Sequence, residues 1–168
     1  MKIVFLDIDG VLQPSYYQRR FKHDLDKLQA GLAQKYNDSG FLKLNKYDIG
    51  AVYYDWQLKA VENLKTLLNN TGAKIVLSSD WKRGRTLDEL KRLFKIHDLD
   101  EFLIDTTPNM SNRCEEIEDY LASHSSIEEF VILDDYKFWG YEKFGEKFIY
   151  CDMFLEEELN QALKIFFK

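Results

Sequence analysis

The sequence is poor in the residues that staple, interrupt or anchor a chain. Its two cysteines, Cys114 and Cys151, lie far apart with no short metal-type spacing. They read as reduced thiols of a reducing compartment. Neither opens a Cys-x5-Arg loop, because six residues beyond Cys114 is Tyr120 and six beyond Cys151 is Glu157. Two prolines mark no linker, and no repeat divides the chain, so residues 1–168 are expected to form one domain. No stretch approaches the ~20 apolar residues of a membrane span. The apolar run Ile3 to Leu6 is too short for a signal peptide, so a soluble cytoplasmic protein is the default expectation, with export by another signal left open. There is no GxxxxGK(S/T) and no HExxH, which excludes a P-loop and that type of zinc site. The net charge of −6 disfavours non-specific nucleic-acid binding by the overall field, though a local basic patch can still hold a phosphate.

What is present is enough for a core: 45% of residues are hydrophobic and 15% aromatic. Residues 2–7 (KIVFLD), 73–78 (AKIVLS) and 129–134 (EFVILD) read as buried strands, short apolar runs ending in a polar group. Residues 102–105 and 147–151 repeat the pattern more weakly. Amphipathic helices are predicted between them at 56–69, 87–95, 113–124 and 155–167. The first has Asp55 as candidate N-cap and Gly72 after its end. The second opens with Thr86 and Glu89 at capping-box spacing. Such alternation predicts an α/β fold, a Rossmann-like parallel sheet with helices on both faces. Ligands of such sheets bind beyond the carboxyl ends of the strands. Asp7, Ser78, Asp105, Asp134, Asp135, Cys151 and Asp152 lie at those ends. A cluster of acids with one hydroxyl there points to a metal site.

Residues 14–54 break the alternation. Phe21, Leu25, Leu28 and Leu32 form a helical stripe. The stretch from there to Tyr54 reads as a hairpin or loop. This segment is expected to be a small helical insertion after the first strand; it borders the expected site and is a candidate mobile flap.

Asp7 and Asp9 carry the strongest chemical signal. At i and i+2 of an extended segment they project together. Gly10 lets the chain turn away. Two neighbouring carboxylates repel unless a proton or cation compensates, and Mg²⁺ prefers such oxygen ligands.

With FLDIDGVL at residues 5–12, Ser78-Ser79 after a strand, Arg113 opening a helix and ILDD at 132–135, the chain resembles the haloacid dehalogenase (HAD) superfamily. More narrowly, VLSSDWKR, the Arg113-Cys-Glu-Glu-Ile helix start and VILDD are similar to small HAD domains grouped with RNA-repair proteins. The resemblance covers nearly the whole chain apart from 14–54. It implies a Mg²⁺-dependent phosphatase in which Asp7 is the nucleophile and Asp9 the acid and base. It further implies that Asp7, the Asp9 carbonyl and Asp135, with Asp134 as second choice, hold the metal. Ser78, Ser79 and Arg113 would bind phosphate, with Lys82 or Arg83 as alternatives to Arg113. Trp81 reads first as core packing and second as a stacking residue.

The family's large caps do not fit between Ser79 and Arg113. An open site favours a phosphorylated macromolecule. A phosphoprotein, phosphotyrosine included, is the first expectation. A polynucleotide end is the second, disfavoured by net charge. A catalytically idle interaction module is the third, and the intact Asp7, Asp9, Ser78 and Asp135 speak against it. Tyr16, Tyr17, Arg19, Arg20, Lys22 and His23 either line the entrance or form the wet face of a helix.

Overall fold

The apolar runs become one parallel sheet. The computed structural model describes residues 1–16 and 18–168. Tyr17, a candidate entrance residue, lies outside them. Among the described residues five strands pair: β1 (Lys2–Leu6), β2 (Lys74–Leu77), β3 (Leu103–Thr106), β4 (Glu129–Asp134) and β5 (Phe148–Tyr150). Their spatial order is β3-β2-β1-β4-β5, and every pairing is parallel. The chain therefore winds away from β1 in one direction through β2 and β3, then returns to its other side through β4 and β5. The strand order reverses between β1 and β4, where sheets of this kind open a crevice.

Alternate side chains of each strand enter two cores. Val4, Leu6, Ile75, Leu77, Val131 and Leu133 face α3 (Leu58–Thr71), α4 (Leu87–Lys95) and α6 (Glu156–Phe166). Ile3, Phe5, Val76 and Ile132 face α5 (Arg113–Ser123) and Tyr141. Burial on both faces explains why the strands read as continuous apolar runs. Helix ends follow local chemistry. Thr86 and Glu89 form the expected capping box of α4. Gly72 ends α3 at φ 70°, a left-handed conformation that suits glycine, and its N–H reaches the Leu68 carbonyl. Asp55 is not the cap of α3. Gln57 holds that position without a side-chain bond, and Asp55 lies buried against the Arg20 guanidinium.

The insertion is helical, not a hairpin. It contains short 3-10 turns at Arg19–Lys22 and Ser39–Lys43, α1 (Leu25–Lys35), α2 (Lys46–Gly50) and a π-helical turn at Ala51–Asp55. The Asp24 carboxylate caps α1 by accepting from the Lys27 N–H, which separates Phe21 from the helical stripe. Phe21 is exposed, whereas Leu25 and Leu32 are buried. Leu32, Phe41, Leu44, Ile49 and Val52 join the same core as β1 and α3.

Candidate active site

The site forms where β1 and β4 end side by side. Leu6 pairs with Leu133, so the next residues, Asp7 and Asp134, meet at the crevice. The Asp7 N–H donates to the Leu133 carbonyl at 2.9 Å and locks that register. Single carboxylate oxygens of Asp7, Asp134 and Asp135 all lie within 4.8 Å of one another. Asp7 and Asp134 are buried, and Asp135 is half-buried. Gly10 closes the turn at φ 78°, and a Cβ there would overlap the Asp135 carboxylate. Both the backbone angle and the space therefore require glycine.

Arg113, the first residue of α5, reaches into this acid cluster. Its Nη1 lies 2.8 Å from Asp134 Oδ2 and 3.2 Å from Asp7 Oδ1. Its guanidinium also sits over the Phe138 ring at 4.5 Å. Burial works against its charge, but Asp7 and Asp134 overcome this and hold its pKa above the usual arginine value. Asp7 is pushed up to about 7, first by burial and then by the Asp134 charge. Arg113, the Ser79 side chain and the Ile8 backbone oppose that rise. Burial likewise raises Asp134, although Arg113, the Tyr136 N–H and the Tyr141 hydroxyl favour its charged form. A site with more negative charge than its one arginine balances is suited to a cation. The hard carboxylate oxygens match Mg²⁺.

Asp9 stands at the solvent side. Its Oδ2 accepts from the Trp81 indole N–H at 3.1 Å and its Oδ1 from the Gln13 amide at 3.3 Å. Desolvation raises its pKa. Ser78 and Ser79, just past β2, are both buried. The Ser78 hydroxyl has no partner among the described residues. The Ser79 hydroxyl caps the 3-10 turn at Asp80–Lys82.

Of the strand-end acids, Asp105 does not join the cluster. It lies within β3 and accepts from the Tyr120 hydroxyl at 3.1 Å. Lys82 and Arg83 stand apart from Asp7. Lys82 is buried, donating to Glu116 at 2.6 Å and to the Ser78 carbonyl at 3.4 Å. Arg83 pairs with Asp80 and bonds the Met110 carbonyl. Four partnerships were not read from the sequence, although Trp81 and Glu116 lie within the motifs quoted above. Tyr141 donates to Asp134 at 3.1 Å, Glu116 holds Lys82, and Gln13 and Trp81 hold Asp9. The Trp81 ring also packs 6.1 Å from that of Trp56, so it serves both core and site.

The segment from Ser79 to Arg113 contains only the Asp80–Lys82 turn, α4 and β3, so no large cap stands there. The rim of the cluster carries exposed Tyr136 and Trp139, which follow β4. No helix among the described residues is long and apolar enough to cross a membrane.

The fold and this acid cluster define an α/β domain of the HAD superfamily. The family model described as "HAD domain in Swiss Army Knife RNA repair proteins" matches residues 3–158, and the chain belongs to that family. The match includes the insertion. It supports a phosphatase-type hydrolase. No curated protein and no solved structure matches the chain.

Proposed function

We propose that the chain is a Mg²⁺-dependent phosphomonoester hydrolase that works through an aspartyl-phosphate on Asp7. One observation carries the reading: three carboxylates converge within 4.8 Å of one another, with the Arg113 guanidinium 3.2 Å from Asp7. Asp7, Asp134, Asp135 and the Asp9 carbonyl would hold Mg²⁺, which supplies charge neutralisation for the transferring phosphoryl group when bound.

The chain's own groups supply the rest. An Asp7 oxygen attacks phosphorus, and the bond to the ester oxygen breaks. Asp9, whose raised pKa favours the protonated form, gives its proton to that leaving oxygen. Water then attacks the aspartyl-phosphate, Asp9 takes a proton from it, and phosphate leaves with Asp7 restored. Arg113 offsets charge on the phosphoryl oxygens. The unpartnered Ser78 hydroxyl, and Ser79 beside it, give hydrogen bonds to them.

The open edge suits a phosphate on a large molecule. The acidic net charge supports a phosphoprotein, phosphotyrosine included. The family's printed association with RNA repair supports a polynucleotide end as the second reading. Asp7→Asn is expected to abolish turnover of an aryl phosphate in Mg²⁺. EDTA is expected to stop the wild-type reaction and Mg²⁺ to restore it. Full activity in the variant, or activity indifferent to chelation, would remove the mechanism. A purified wild type with no phosphatase activity on any substrate would favour the interaction module.

A further inference from the structure

Asp9 is exposed, yet its carboxylate is held from two sides. The Trp81 indole N–H donates to Oδ2 at 3.1 Å, and the Gln13 amide donates to Oδ1 at 3.3 Å. The two holders differ in chemistry. An indole N–H only donates, so Oδ2 must stay an acceptor. A carboxamide carries both a donor and an acceptor, and Gln13 Oε1 is buried without a partner among the described residues. Gln13 can therefore face Oδ1 with or without a proton on it. Of the two oxygens, Oδ1 is the one free to carry the proton that a leaving group receives.

Trp81 is itself braced, and the brace comes from the insertion. Arg85 Nη1 donates to the Trp81 carbonyl at 2.9 Å, and the guanidinium carbon lies 5.5 Å from the centre of the Trp81 ring. The same guanidinium grips Asp48 of α2, with Nε 2.9 Å and Nη2 2.7 Å from Oδ2. The Trp81 ring also packs 6.1 Å from that of Trp56, a buried residue directly after the π-helical turn. A continuous line thus runs from Asp48 through Arg85 and Trp81 to Asp9. Core packing accounts for the contact with Trp56. It does not account for an indole N–H turned onto an exposed carboxylate, where water would satisfy it equally well. Without that bond the Asp9 side chain is free to move among its staggered rotamers.

We propose that Trp81 is a positioning residue for Asp9, braced from the insertion by the Asp48–Arg85 pair, so that Oδ1 delivers its proton to the leaving oxygen. The proposal rests on the phosphatase reading and adds to it a task for the insertion. Its consequence is confined to one bond. Proton delivery matters most when the leaving oxygen is strongly basic, as in an alkyl phosphate. It matters least when that oxygen leaves as a stable anion, as in a nitrophenyl phosphate. A residue that only supports the fold lowers the rate on both by the same factor.

The test measures kcat/KM of the full chain in Mg²⁺ on an alkyl phosphate and on phenyl phosphates of rising leaving-group acidity. That constant covers the steps up to the aspartyl-phosphate, in which Asp9 acts as the acid. Trp81→Phe keeps an aromatic ring and removes the N–H. Its rate is expected to fall on every substrate, and to fall about 10- to 100-fold further on the alkyl phosphate than on the nitrophenyl phosphate, the cost of a misplaced proton donor. Arg85→Met removes the brace and leaves the Trp81 N–H in place. It is expected to shift the series the same way by a smaller factor, so an unstable Trp81→Phe does not decide the matter. In an Asp9→Asn background neither substitution is expected to steepen the dependence on leaving group further. Equal loss on every substrate in both variants, or no loss, would overturn the proposal. A steeper dependence in Trp81→Phe alone would overturn the part given to the insertion. Steepening that persists in the Asp9→Asn background would overturn the route through Asp9. A wild type inactive on the whole series would overturn the phosphatase reading and this proposal with it.

Discussion

Replacing Asp7 by asparagine is expected to stabilise the metal-free protein while destroying its activity. Asp7 is buried, and its pKa rises from 3.8 to about 7 in the fold. Between those values the folded chain holds a proton that the unfolded chain has lost. Stability contributed by the neutral group is thus intact below pH 3.8 and lost as pH rises through 7. Each tenfold in proton affinity is worth ~1.4 kcal/mol, so the ionised carboxylate costs on the order of 2–4 kcal/mol above pH 7. Asparagine keeps the shape without that charge, and Arg113 keeps Asp134 at 2.8 Å. For a domain of this size ~1 kcal/mol moves Tm by about 2–4 °C. Thermal melts in EDTA are expected to place Asp7→Asn roughly 5–15 °C above wild type at pH 8 and close to it at pH 4. Mg²⁺ is expected to raise wild type more than the variant and narrow the gap. A variant that melts at or below wild type at pH 8, or a gap that does not shrink on acidification, would refute the reasoning.

Three further outcomes are expected. Asp9→Asn lowers steady-state turnover by about 10²- to 10⁴-fold, read on an aryl phosphate, and unchanged turnover would remove its acid and base role. Glu116→Ala leaves the Lys82 ammonium buried without its carboxylate and destabilises by about 3–5 kcal/mol, read by urea unfolding. Replacing both partners with apolar residues, Lys82→Met with Glu116→Leu, recovers most of that loss. Tyr141→Phe removes one bond to Asp134 and is expected to lower stability by about 1 kcal/mol in the same assay, since Arg113 still holds that carboxylate.

The sheet was legible because each strand is buried on both faces and so forms an unbroken apolar run. Even the weaker runs at 102–105 and 147–151 coincide with β3, shifted by one residue, and with β5, shorter by one residue at each end. The Asp7, Asp134 and Asp135 cluster was legible because those residues follow the ends of adjacent parallel strands. Sequence spacing carried no sign that Asp105 turns aside to Tyr120, because that contact lies across to α5. The helical character of the insertion was legible from the α1 stripe, but the stretch beyond it was read as a hairpin or loop for a different reason. Its helical pieces are at most five residues long after α1, too short to display a period. They are set by the local caps Asp38 and Asn45, whose side chains accept from the Gly40 and Tyr47 N–H groups. Asp55 looked like a cap because its chemistry suits one, but the ion pair with Arg20, distant in the chain, claims it. Tyr141 and Glu116 act through contacts that no local pattern announces.

The insertion has two faces with different freedom to change. Leu32, Phe41, Leu44, Ile49 and Val52 are rooted in the core that also supports β1. Swinging the whole segment outward would expose them at ~1.5–3 kcal/mol each, on the order of 10 kcal/mol together. The opposite face, with Tyr16, His23 and Tyr53, is exposed and contributes little to that core. Drift among homologues can therefore rewrite the outer side chains while the inner ones stay under purifying selection. The outer face is a replaceable surface mounted on a scaffold that cannot be traded away without losing the fold.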